Sequence, residues 1–151
     1  MTKKLELDIN LTSSYVMLGI VTPLPDYQLA HYLNLTLKVS FKKYDDFLFG
    51  KSGKKNSFYP WFFCFSETHK VKAFLIGNYH PTKKLIPEYK QIDYFILLEN
   101  NSDATLLDNL MKNIRKIKSV TAVFKLNIET IKNIDYLLEE NEMHEMACIS
   151  R

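Results

Sequence analysis

Phe58-Tyr59-Pro60-Trp61-Phe62-Phe63-Cys64-Phe65 leads through Ser66-Glu67-Thr68-His69-Lys70 into Val71-Lys72-Ala73-Phe74-Leu75-Ile76-Gly77-Asn78-Tyr79. Six of the first eight residues are aromatic, and aromatic side chains favour the pleated, extended backbone. Two apolar runs joined by five polar residues predict a β-hairpin. Pro60 has no N–H to give to a ladder, so it belongs near the start of its strand or on an edge.

Outward from the hairpin, the apolar run Tyr15–Val21 predicts a strand covered on both faces. Residues 5–11 alternate apolar and polar, the pattern of a half-exposed strand. Pro23, Pro25 and Asp26 suit the first turn of a helix. Leu29, Ala30, Leu33 and Leu37 continue it at helical spacing to about residue 37. Residues 42–57 are rich in Lys, Asp, Gly and Ser and read as a surface loop. A strand follows at Ile92–Glu99. Asn100, Asn101, Ser102 and Asp103 are all possible N-caps for an amphipathic helix carrying Leu107, Leu110, Met111, Ile114 and Ile117. Val120–Asn127 reads as a strand. Ile128, Ile131, Ile134, Leu137 and Leu138 predict a last helix over 128–140.

Paired strands set between helices define an α+β class. The expectation is one domain over residues 1–151. It has a mixed or mainly antiparallel sheet of five to six strands, packed by two to three helices. The order resembles a ferredoxin-like β-α-β-β-α-β core with an extra strand after the hairpin.

Composition narrows the function. The 151 residues hold four scattered glycines, so no Gly-rich phosphate loop can be written. No apolar run nears the roughly 18 residues of a membrane span, and the first residues interleave charge with apolar side chains, unlike a signal peptide. Cytoplasmic location is expected. Cys64 and Cys148 stand apart, with no spacing that suggests zinc. Residues 1–134 carry a net charge of +7 and residues 135–151 a net of −4. Lysines are dispersed and there are only two arginines, so nucleic acid is not an expected partner. A weak RNA-binding domain remains an alternative, because RNA-recognition motifs share this element order and stack bases on sheet aromatics.

Leu85-Ile86-Pro87-Glu88-Tyr89-Lys90-Gln91-Ile92-Asp93-Tyr94 resembles the bacterial family named for the motif IPExxxVDY. Ile86, Pro87, Glu88, Asp93 and Tyr94 match it, and Ile92 replaces its Val. The family has no assigned activity, so the resemblance implies a bacterial, cytosolic, single-domain protein and no mechanism.

Pro87 fixes its own φ and pushes Ile86 toward extended geometry. Two readings of the segment stand side by side. In one, Glu88 and Asp93 cap backbone groups or pair with lysines. In the other, Pro87, Glu88, Asp93 and Tyr94 hold a small polar ligand, or Glu88 and Asp93 act as an enzyme's carboxylates. His31, His69, His80 and His144 have no partner spacing. His144-Glu145-Met146-Ala147-Cys148 falls short of HExxH because Cys148 replaces the second His. No GxSxG occurs. No catalytic residue, metal or cofactor is assigned.

An all-apolar strand must be covered on both faces. Two or three helices cover one face of such a sheet, and the other invites a partner. The sequence therefore predicts a non-catalytic binding or assembly module. It would form a homodimer or bind a protein partner through Phe58, Tyr59, Trp61 and Phe63.

Overall fold

The computed structural model describes residues 14–50, 57–81, 83–99 and 103–149; the expected strand over 5–11 lies outside them. In chain order the elements are β1 (Tyr15–Val21), α1 (Asp26–Leu37), β2 (Lys42–Lys43), β3 (Phe47–Phe49), β4 (Ser57–Tyr59), β5 (Trp61–Ser66), β6 (Val71–Gly77), β7 (Tyr79–His80), β8 (Lys83–Lys84), β9 (Tyr94–Glu99), α2 (Ala104–Arg115), β10 (Ala122–Leu126) and α3 (Ile134–Ile149). Single 3-10 turns occupy Pro87–Tyr89 and Ile128–Thr130. Among the described residues, no helix is long and apolar enough to cross a membrane.

The fold is α+β. Six strands lie in the order β10-β1-β9-β6-β5-β2, and every pairing is antiparallel rather than mixed. The connections β1–α1–β6 and β9–α2–β10 each pass over one strand, which gives the β-α-β-β-α-β plan. The added strand is not the one expected. β6 and β9 form the central pair, and aromatic β5 is the addition, zipped to the outer edge of β6 from Trp61↔Ile76 to Ser66↔Val71.

Side chains alternate across a strand, so each strand feeds two cores. Phe62, Cys64, Leu75 and Ile96 face α1 and α2, meeting Leu29, Leu33, Leu107 and Ile114. Trp61, Phe63, Phe74, Phe95 and Leu97 face the opposite way and meet Leu137 and Leu138 of α3.

Helix ends follow from local chemistry. Asp103 proves to be the N-cap of α2, its Oδ1 accepting the Thr105 and Leu106 N–H groups at 2.9 and 3.2 Å. Lys112 and Arg115 occupy the last turn, where cations complement the helix dipole. Helix α1 closes at Lys38, whose φ of 56° stops it.

Four expectations are corrected. The aromatic run is two strands, not one, because Pro60 breaks the ladder. Its ring lies so close to Gly77 that a Cβ there would sit 2.9 Å from Pro60 Cδ. The 42–57 stretch is not all loop: β3 pairs with β4 and buries Phe47. Residues 128–133 do not belong to the α-helix, since Asn127 caps a single 3-10 turn over Ile128–Thr130 and Asn133 takes a φ of 61°. Helix α3 instead runs nine residues past the expected end, because Asn141 and Glu145 continue its buried stripe.

The fourth correction concerns the aromatic interface. Trp61 is 0% exposed, Tyr59 2% and Phe63 9%. Helix α3 covers the face that seemed to require a partner, so these three side chains are core. Phe58 alone is half exposed. Among the described residues, both faces of the sheet are covered by helices of the same chain.

Candidate functional site

The Ile86–Tyr94 segment wraps around one buried amide. Asn78 follows β6 and is 0% exposed. Its Oδ1 accepts the Ile86 N–H at 2.8 Å, and its Nδ2 donates to the carbonyls of Tyr89 at 3.0 Å and Ile92 at 2.9 Å. Its backbone N–H reaches the Asp93 carbonyl and its carbonyl accepts the Leu85 N–H. A buried polar side chain must be matched in this way or it destabilises the fold. Ile86 is extended at φ −122° and ψ 95° ahead of Pro87, which opens the 3-10 turn, as a residue before proline should be.

Three of the four candidate ligand residues make a structural hydrogen bond. Glu88 Oε2 accepts the Lys132 N–H at 2.8 Å, tying the turn to the approach to α3. Asp93 Oδ2 accepts the Thr22 N–H at 2.9 Å, fixing the turn between β1 and α1. Thr22 continues that network by donating to the Ser119 carbonyl at 2.8 Å. The Tyr94 hydroxyl donates to the Leu24 carbonyl at 2.7 Å. Burial first, then the Asp26 and Asp93 carboxylates, push that hydroxyl up to about 12, so it stays a donor at any ordinary pH. Pro87 supplies shape.

Glu88 and Asp93 do not converge. Glu88 and Pro87 border a cavity of about 550 Å3 between Leu85–Glu88 and Ile131–Leu137, with Phe49 and Tyr136 on its walls. Asp93 and Tyr94 border a different depression beside Thr22–Asp26 and Pro60. A two-carboxylate mechanism needs both acids at one reacting centre, and this geometry denies it.

No protein-family model, curated protein or solved structure matches the chain. Its chemistry is therefore read from its own side chains.

Three further polar pairs lie under α3. Trp61 Nε1 donates to Asn141 Oδ1 at 2.8 Å. Lys72 Nζ pairs with Glu145 Oε2 at 2.8 Å, and the Tyr15 hydroxyl donates to Glu142 Oε2 at 3.2 Å. Burial, then Glu99 and Glu142, drive the Tyr15 hydroxyl far above the ordinary tyrosine range. Burial also raises Glu99, against the opposing pull of Lys72. The hydrogen bond to Glu145 raises Lys72. These groups pair across the sheet, although the buried Asn141 Nδ2 is left without a hydrogen-bond partner among the described residues.

The His144–Cys148 stretch is helical, yet among the described residues it assembles no metal site. His144 Nε2 lies 2.8 Å from the Asp45 carbonyl, which makes that nitrogen the donor. Glu145 is held by Lys72. Among the described residues no three His, Cys, Asp or Glu side chains are grouped to hold a metal. Cys64 is equally quiet: burial pushes its thiol up to about 11, and the thiol form is a poor nucleophile.

Sequence reasoning missed Phe49, Lys132 and Tyr136, which complete the walls of the larger cavity. Phe49 hides in a stretch of loop-like composition. Lys132 and Tyr136 join the cavity only because Ile131–Leu137 folds against Glu88.

Proposed function

We propose that the protein is a non-catalytic binding module of the bacterial cytosol, related to the IPExxxVDY family, and that its ligand seats in the cleft beneath Pro87 and Glu88. One observation carries this reading: a cavity of substantial size among the described residues is bordered by the turn that Asn78 and Glu88 rigidify. Its volume of about 550 Å3 falls within the range of small-molecule sites, and a mainly apolar lining with a few polar groups is what such sites use. Glu88 serves by holding Lys132 in place, which pre-organises the wall and lowers the ordering cost of binding.

The test is a 15N-edited NMR titration of the full chain with N-phenyl-1-naphthylamine, a neutral apolar probe. The expected outcome is saturable, one-to-one perturbation of the Ile86, Glu88, Lys132 and Tyr136 amides. Shifts scattered over both sheet faces, or no shifts at millimolar probe, would overturn the reading.

A further inference from the structure

The 550 Å3 cleft does not end at Pro87. A second cavity of about 450 Å3 shares Phe49, Leu85 and Pro87 with it, and adds Lys83, Lys84 and Lys90. The shared residues are apolar, and the second cavity adds the three lysines to its lining. Lys132 lines the larger cavity. The lining side chains thus comprise four lysines against one carboxylate, and that carboxylate, Glu88, already accepts the Lys132 N–H at 2.8 Å.

Among the described residues, no carboxylate forms an ion pair with these lysines. The ion pairs among the described residues are Lys43–Asp26 and Lys72–Glu145, both remote from this cleft. Lys84 Nζ is steered by the Tyr79 ring, 5.3 Å from its centroid, which leaves the charge intact. Lys83 and Lys90 are exposed and Lys84 is partly buried. Like charges gathered at a concave apolar surface focus a positive potential into it, and an anionic group entering the cleft would relieve their repulsion.

We propose that the cleft takes a small amphipathic anion. Its apolar body lies over Phe49, Leu85 and Pro87, and its carboxylate, phosphate or sulfonate group faces Lys83, Lys84 and Lys90. The proposal rests on the binding reading above and adds the ligand's charge and shape. Lysine acts here as a point charge, without the planar fork with which arginine selects one oxyanion geometry. The site therefore distinguishes anion from neutral molecule more sharply than one oxyanion from another.

Two dyes that differ by one group test this. 8-Anilinonaphthalene-1-sulfonate carries the sulfonate, and N-phenyl-1-naphthylamine has the same rings without it. In fluorescence titrations of the full chain, the sulfonate should bind about tenfold more tightly than the neutral dye, with a preference that shrinks as salt rises. The triple variant Lys83→Gln, Lys84→Gln, Lys90→Gln should lose the preference and keep its affinity for the neutral dye. The Lys-to-Arg triple should retain the preference. Thermal melting checks that each variant is folded. Equal affinities for the two dyes in the parent protein would overturn the proposal while leaving the cleft as a neutral site. So would a preference that survives the Gln triple. Failure of both dyes to bind would overturn the cleft reading as well.

Discussion

The two faces of the sheet are closed by different means. On the α1–α2 face, Leu18, Leu29, Leu33, Phe62, Leu75 and Ile114 form an apolar core supplied by two amphipathic helices. On the α3 face, one helix and the segments around it cover a larger aromatic group. Buried Asn78, Asn141 and Glu145 make specific polar contacts there, to the Ile86–Ile92 backbone, Trp61 and Lys72. The first face depends on volume and apolarity, which tolerate exchange of similar side chains. The second depends on named hydrogen bonds, whose loss strands a buried polar partner. The loops that border the cleft sit on this second face, so its hydrogen bonds position the candidate site.

The sharpest way to break this contrast is to truncate one residue on each face. Leu33→Ala should cost about 2–5 kcal/mol, the usual range for a buried leucine. Trp61→Ala should cost more, because a larger cavity of about 3–5 kcal/mol is joined by loss of the Asn141 bond. Urea denaturation compares them directly, and a Trp61 variant no less stable than the Leu33 variant would collapse the distinction. Asn78→Ala comes next, at roughly 2–4 kcal/mol for the stranded Ile86 N–H and the Tyr89 and Ile92 carbonyls. Its signature beyond lost stability is faster exchange of the Ile86 amide.

Smaller effects sharpen the picture. Asp103→Ala should cost about 1 kcal/mol as a lost N-cap, measured by melting temperature, with no effect on the cleft. The weakest test is pH. Burial raises Glu99 in the fold, so its folded form prefers the proton. That contribution to stability is full below the ordinary glutamate value of about 4.3 and is lost as pH rises through the raised value. Glu99→Gln should flatten the corresponding part of the stability profile and leave the variant slightly more stable than the parent at neutral pH.

The same contrast explains what was legible in the sequence. The α1–α2 face could be read because its stripes are purely apolar: Leu107, Met111 and Ile114 announce their helix. The end of α3 could not, because its buried stripe passes through Asn141 and Glu145, which look like solvent residues. Phe47 and Phe49 were masked by the polar composition around β3. The Pro87–Tyr94 segment could be picked out, and its division between capping and chemistry could not. Thr22, Leu24, Asn78 and Lys132 decide that division, and three of them lie 44 to 71 residues from the side chains they meet.

Glu88 and Asp93 serve two separate backbone groups, the Lys132 and Thr22 N–H. Amide hydrogen exchange of Thr22 and Lys132 in Asp93→Ala and Glu88→Ala measures this most directly. The expected result is selective: loss of Asp93 speeds Thr22 and spares Lys132, while loss of Glu88 speeds Lys132 and spares Thr22. Acceleration of both amides by either substitution, or of neither by both, would contradict it.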